Sequence, residues 1–137
     1  MYLAGKRIFI VEDNLENKTI AQMLLERAGA KVMIDRWGVD IANRLAKFAP
    51  LDAVLLDLML PGQVTGYDVF KQIRQLEQFV HVPIAAISAA DASTAIPKAQ
   101  EMGFSGFISK PIDFQNFALQ IKQIIDGESI WQTPERL

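Results

Sequence analysis

The chain has 137 residues, half of them hydrophobic, and carries a net charge of −2 at pH 7 with no cysteine. That length and apolar content suit one domain with its own core, and the missing cysteines exclude disulfide and thiolate chemistry. Lysine and arginine are scattered, so direct nucleic-acid binding, which needs concentrated positive charge, is not expected, and no run approaches the roughly 20 apolar residues of a membrane span.

Residues 1–6 are too few and too polar for a secretory signal, because the apolar run behind them soon meets Glu12 and Asp13. The cytoplasm is therefore the expected location. Ile8-Phe9-Ile10-Val11 is an unbroken apolar run, the pattern of a strand buried on both faces. Ile20, Met23, Leu24 and Ala28 then recur at helical spacing, with Gly29 as a left-handed cap. Residues 31–34 read as a short second strand. Ile41, Leu45 and Phe48 mark a second helix that Pro50 ends, and Ala53-Val54-Leu55-Leu56 is a third strand with Asp57 at its end.

Residues 58–66 contain Pro61, Gly62 and Gly66, a loop by composition. Val69, Ile73 and Leu76 predict a third helix. The lone histidine, His81, stands before the fourth strand (residues 83–87, ending at Ser88) without the companions a metal ligand needs. Pro97 lacks an amide hydrogen and belongs in a first turn, so the fourth helix is expected to start late, capped by Ser93 or Thr94. A fifth strand fills residues 104–109 and Lys110-Pro111 follows. Asp113 is placed as cap of a last helix that buries Phe117, Ile121, Ile124 and Ile125. From Gly127 onward periodicity is lost, and the end of the chain reads as a frayed tail or a stub.

Five repeated β-α units imply a parallel sheet with helices on both faces. Ligands bind such sheets beyond the carboxyl ends of the strands. Glu12, Asp13, Asp57, Ser88 and Lys110 all occupy those ends. Carboxylates crowded on one rim resist ionising unless a cation joins them, and oxygen donors without histidine or cysteine favour Mg2+. Lys110 can balance a phosphoryl charge and Ser88 can donate a hydrogen bond to it. Phosphoryl transfer needs mainly positioning and charge neutralisation. Taken singly, each residue has a plainer reading: acids suit a helix N-terminus, Asp57 is a polar strand end, Ser88 a turn residue and Lys110-Pro111 a loop. Their common placement favours the rim.

Ile10-Val11-Glu12-Asp13-Asn14, Leu55-Leu56-Asp57-Leu58-Met59-Leu60-Pro61-Gly62, Ile87-Ser88-Ala89 and Gly106-Phe107-Ile108-Ser109-Lys110-Pro111 together carry a specific resemblance. The chain resembles the receiver domain of two-component response regulators of the chemotaxis-regulator kind. The likeness runs over residues 6–126 and leaves 127–137 as a tail. It implies a flavodoxin-like (βα)5 three-layer fold with a five-stranded sheet in the order 2-1-3-4-5. It implies Asp57 as phosphoacceptor, loaded from a phosphohistidine on a sensor histidine kinase or histidine phosphotransfer protein. Asp13 and Asp57 would hold Mg2+ with the backbone carbonyl of Met59, and Glu12 would act through water. Ser88 and Lys110 would bind phosphoryl oxygens, and the bond before Pro111 would be cis.

Some positions depart from the commonest pattern. Glu12 replaces an aspartate, Gln63-Val64-Thr65 replaces a Met-Asp pair in a longer loop, and Phe107 fills an aromatic switch position where tyrosine is frequent. Phe107 would turn inward as Ser88 moves toward the phosphate, altering the face of the fourth helix, fifth strand and fifth helix that meets a downstream protein. Phe104, Phe107 and Ile112 offer apolar contacts near that face, with ordinary core packing as the simpler role for Phe104 and Ile112. Met59 and Ala90 are uncharged where the family tunes phosphoryl lifetime, so a long-lived aspartyl phosphate is expected. Such a chain is a signalling domain and not an enzyme beyond its own phosphorylation. The alternatives are a phosphorylation-independent receiver-like module, a receiver cut from a larger regulator or hybrid kinase, and a phosphatase with an aspartyl intermediate. The last lacks its usual Asp-x-Asp, and a nucleotide or flavin binder would show a glycine-rich turn after the first strand.

Overall fold

The computed structural model describes residues 1–132. In chain order the elements are β1 (Arg7–Val11), α1 (Leu15–Arg27), β2 (Lys31–Asp35), α2 (Ile41–Phe48), β3 (Ala53–Leu56), α3 (Gly66–Arg74), β4 (Ile84–Ser88), α4 (Ala92–Met102), β5 (Gly106–Ser109), α5 (Phe117–Ile125) and β6 (Ile130–Gln132). The sheet runs in the order β2-β1-β3-β4-β5-β6 and every neighbouring pair is parallel. The doubly wound arrangement expected from the sequence is thus present, and a sixth strand extends it.

The unbroken apolar runs are explained by two cores, one on each face. Phe9, Val11, Val54 and Leu56 point to the layer of α2, α3 and α4, where Ile41, Leu45, Val69, Ile73 and Ala95 meet them. Their strand neighbours Ile8, Ile10, Ala53 and Leu55 point the other way, onto Leu25 of α1 and Phe117, Ile121 and Ile124 of α5. Because successive strand side chains alternate in direction, a strand covered on both faces must be apolar at every position.

Four expectations need correction. The buried face of α1 centres on Ala21 and Leu25, not on Ile20 and Met23, with Leu24 and Ala28 at its margin. Leu76 lies beyond the end of α3, before a short turn of 3-10 helix over Glu77–Phe79. Helix α4 starts early: Asp91 is its cap, accepting from the backbone of Ser93, and Pro97 stands inside the helix. Both Ser93 and Pro97 are exposed, so water can serve the carbonyl that the proline cannot. Asp113 caps a preliminary turn, its backbone carbonyl accepting from Asn116 and Phe117, and α5 proper begins at Phe117.

The expected tail is also revised. Residues 130–132 form β6, parallel to β5, with Gly106 opposite Ile130, Phe107 opposite Trp131 and Ile108 opposite Gln132. Period alone could not show this, since three residues are too few to carry a pattern. The last part of that expected tail, 133–137, lies outside the described residues.

Candidate functional site

The parallel sheet brings the carboxyl ends of β1, β3, β4 and β5 to one rim. Glu12 follows β1 and its amide bonds to the Asp35 carbonyl at 2.9 Å. Asp57 follows β3, with its amide on Val11 at 2.9 Å, and Lys110 follows β5, with its amide on Ser88 at 3.0 Å. These backbone bonds fix where each side chain leaves the sheet. The Lys110–Pro111 bond is cis, and so is Ala49–Pro50.

The Lys110 ammonium lies 2.6 Å from Glu12 Oε2 and 2.8 Å from Asp57 Oδ2. All three side chains are nearly buried, with exposures of 10% for Lys110, 6% for Glu12 and 8% for Asp57. The remaining carboxylate oxygens have backbone donors: Asn14 N–H donates to Glu12 Oε1 at 3.1 Å and Met59 N–H to Asp57 Oδ1 at 3.0 Å. Burial pushes the Glu12 carboxyl above its ordinary range, and repulsion from Asp57 adds to this. The hydrogen bond from Lys110, its charge and the Asn14 amide pull in the opposite direction without cancelling the rise.

Asp13 and Ser88 stand apart from this triad. Asp13 is half-exposed and 3.6 Å from the Arg36 guanidinium. Ser88 is fully buried and its Oγ accepts from the Ala90 amide at 3.2 Å. An open pocket of about 470 Å³ joins Glu12, Asp13, Asp57, Met59 and Lys110. Among the described residues no three acidic or histidine side chains are drawn together tightly enough to enclose a metal ion. Mg2+ does not require such a cage, since it keeps several waters and is bound through one or two carboxylates. The hard oxygen donors of Glu12, Asp13 and Asp57 on one pocket fit an ion of that kind, and the repulsion between Glu12 and Asp57 favours one.

Phe107 is fully buried, packed in the same core as Trp131. Phe104 stacks on Phe70 at 4.3 Å between ring centroids, and Ile112 packs against the opposite core, so both serve packing. His81 is exposed and precedes the amino end of β4, whereas the site lies at the carboxyl ends of the strands.

Three contributors escaped the sequence reading. Asn14 caps α1 through its side chain, and an Asn directly before a helical segment signals this. Arg36 has no such signal, because its pairing with Asp13 exists only once β1 and β2 are side by side. Gly66 read as a loop residue, yet it opens α3 against the backbone of Asp57 and Leu58. A Cβ there would lie 2.3 Å from the Asp57 carbonyl oxygen and 2.7 Å from Leu58 Cα. Thr65 and Asp68 lock this approach with reciprocal capping bonds.

The sequence profile of the response regulator receiver domain matches residues 8–122. The chain belongs to that family. Receiver domains act in two-component signalling, and this receiver is 30% identical to the polar-differentiation response regulator DivK of Brucella ovis, over 88% of this chain and 96% of DivK. It is 29% identical to probable histidine kinase 6 of Oryza sativa subsp. japonica over 91% of this chain, but spans only 15% of that kinase. Among solved structures, the receiver domain of a sensor histidine kinase from Pseudomonas aeruginosa PAO1 superposes with a TM-score of 0.77 at 30% identity, covering 90% of this chain and all of that one. That domain was crystallised with a magnesium ion coordinated in its active site cleft.

Two outcomes follow from this geometry. Gly66→Ala forces the backbone at Asp57 and Leu58 to shift, and urea denaturation is expected to show a loss of about 1–3 kcal/mol, the usual cost of overpacking; unchanged stability contradicts the contact. Lys110→Met removes the hydrogen bond and the charge by which Lys110 lowers the Glu12 carboxyl, leaving only the Asn14 amide, so its carbon-13 NMR titration midpoint moves to higher pH, whereas a midpoint that stays or falls contradicts the bridging role.

Proposed function

We propose that this receiver takes a phosphoryl group onto Asp57 from a phosphohistidine of a sensor histidine kinase or histidine phosphotransfer protein, with Mg2+ bound, and thereby switches its binding to a downstream protein. The observation that carries this reading is the Lys110 ammonium held between two buried carboxylates, with Asp57 opening onto a pocket. A carboxylate oxygen of Asp57 attacks phosphorus, the nitrogen–phosphorus bond of the donor breaks with its electron pair going to the ring nitrogen, and the imidazole leaves neutral with the proton already carried on its other nitrogen. Lys110 offsets negative charge on the transferring group, and the Met59 amide holds the other carboxylate oxygen in place. Ser88, whose hydroxyl accepts from Ala90 and donates to no other group among the described residues, supplies a donor to a phosphoryl oxygen. When bound among Glu12, Asp13 and Asp57, Mg2+ supplies further neutralisation of phosphoryl charge.

Leu15, Met59 and Phe114 are exposed apolar residues close in sequence to Asp13, Asp57 and Lys110, and they supply contact area for a phosphodonor protein at the rim. The face of α4, β5 and α5 is the proposed surface for the downstream protein. The chain is not an enzyme on other substrates in this reading. Met59 and Ala89 border the pocket and Ala90 follows directly. None of these can orient an attacking water, so the aspartyl phosphate is slow to hydrolyse.

Incubation with acetyl phosphate and Mg2+, read by intact mass, tests the proposal. The native chain is expected to gain one phosphoryl group and to hold it for minutes or longer, while Asp57→Asn gains none. Equal labelling of the variant, or no labelling of the native chain, overturns the assignment; loss within seconds contradicts the slow hydrolysis.

A further inference from the structure

Strand β6 occupies the β5 edge of the sheet, beside the face proposed above for a downstream protein. Its side chains extend both cores: Trp131 packs with the cluster that holds Phe107, and Ile130 with the cluster of α1 and α5. Gly106 is what admits it. A Cβ at that position would lie 2.6 Å from the Ile130 carbonyl oxygen, so only a residue without a side chain lets the two backbones pair.

The hold on this strand is slight. β6 has three residues, each only partly buried, joined to α5 through Gly127, Glu128 and Ser129. The amide of Ile130 reaches the Ser105 carbonyl at a long 3.4 Å. Two side chains clasp Gln132: Ser109 Oγ donates to its carbonyl at 3.0 Å and Gln120 Nε2 to its side-chain oxygen at 3.2 Å. The second clasp has a cost, because Gln120 Oε1 is buried with no hydrogen-bond partner among the described residues. Segments with few buried contacts and unmade hydrogen bonds open first.

The clasp is also wired to the site. Ser109, which holds Gln132, is directly followed by Lys110, which holds Glu12 and Asp57, and the Lys110 amide is bonded to the Ser88 carbonyl. Asp57 follows β3 and β6 lies beyond β5 on the opposite side. Lys110 and Ser88 are thus the residues through which an anion at Asp57 reaches the end of β5 that clasps β6.

We propose that residues 128–132 are a displaceable strap over the β5 edge, and that an anion seated on Asp57 loosens it through Ser109. The coupling rests on the phosphoacceptor reading of Asp57; the strap does not. Once loosened, the strap bares the β5 edge beside Phe107.

Trp37 and Trp131 are the two tryptophans of the chain, so Trp37→Phe, remote from the strap, leaves Trp131 as the sole emitter. Acrylamide quenching of Trp131 is measured with and without beryllofluoride and Mg2+, while fluorine NMR reports whether beryllofluoride is bound. The quenching constant is expected to rise at least twofold on binding, and not at all in the Asp57→Asn variant. Ser109→Ala is expected to raise it before any beryllofluoride is added. Bound beryllofluoride with unchanged quenching overturns the coupling and leaves the phosphoacceptor reading standing. No bound beryllofluoride overturns both, and unchanged quenching in Ser109→Ala overturns the clasp.

Discussion

The ammonium of Lys110 between the carboxylates of Glu12 and Asp57 is the contact on which the rest of the molecule depends. It joins residues 98 and 53 positions apart in sequence, and only a sheet with β1, β3 and β5 parallel and ending at one level brings them together. Each of the two cores contributes to that level. Unbroken apolar strands bury against helices on both sides, and what they leave at their carboxyl ends is polar, short of solvent and close together.

Buried charges are tolerated when they are paired and their remaining atoms have hydrogen-bond partners. Here the ammonium has two acceptors and each carboxylate has a backbone donor besides. The arrangement is nevertheless unbalanced. Two carboxylates share one cation at hydrogen-bond distance, and burial, with the repulsion of Asp57 added, holds the Glu12 carboxyl above its ordinary range. A site in that condition gains from further positive charge, which the phosphoryl transfer proposed for Asp57 also requires. Gly66 contributes by absence: α3 approaches the Asp57 backbone so closely that no side chain fits, which fixes the segment carrying Asp57.

The layered fold and the rim residues were legible in the sequence because both follow from short, strong signals. A continuous run such as Ile8 to Val11 ending in Glu12 and Asp13 specifies a buried strand and a polar end at once. Helix faces were legible where apolar residues were sparse, as in α2, and misread in α1, where Ile20, Ala21, Met23, Leu24 and Leu25 offer more than one face. Pro97 misplaced the start of α4 because a proline on a solvent-facing side is tolerated inside a helix, and exposure is a tertiary property. β6 was hidden for a similar reason: three residues acquire strand geometry from a groove that Gly106 opens, and no local pattern records that groove. Within the site, the pairing of Asp13 with Arg36 and the bond of the Ser88 hydroxyl to the Ala90 amide are matters of distance, which residue type alone does not carry.

Asp57 as the centre of a charge-balanced anion site is the claim most directly open to measurement by crystallography of the chain grown with Mg2+ and beryllofluoride. The account predicts beryllofluoride density on an Asp57 carboxylate oxygen, with a fluorine within hydrogen-bond distance of Lys110 Nζ and an ion in the pocket that Glu12 and Asp13 line. Density on any other carboxylate, or an Asp57 still bonded to Lys110 with neither anion nor ion beside it, contradicts the account.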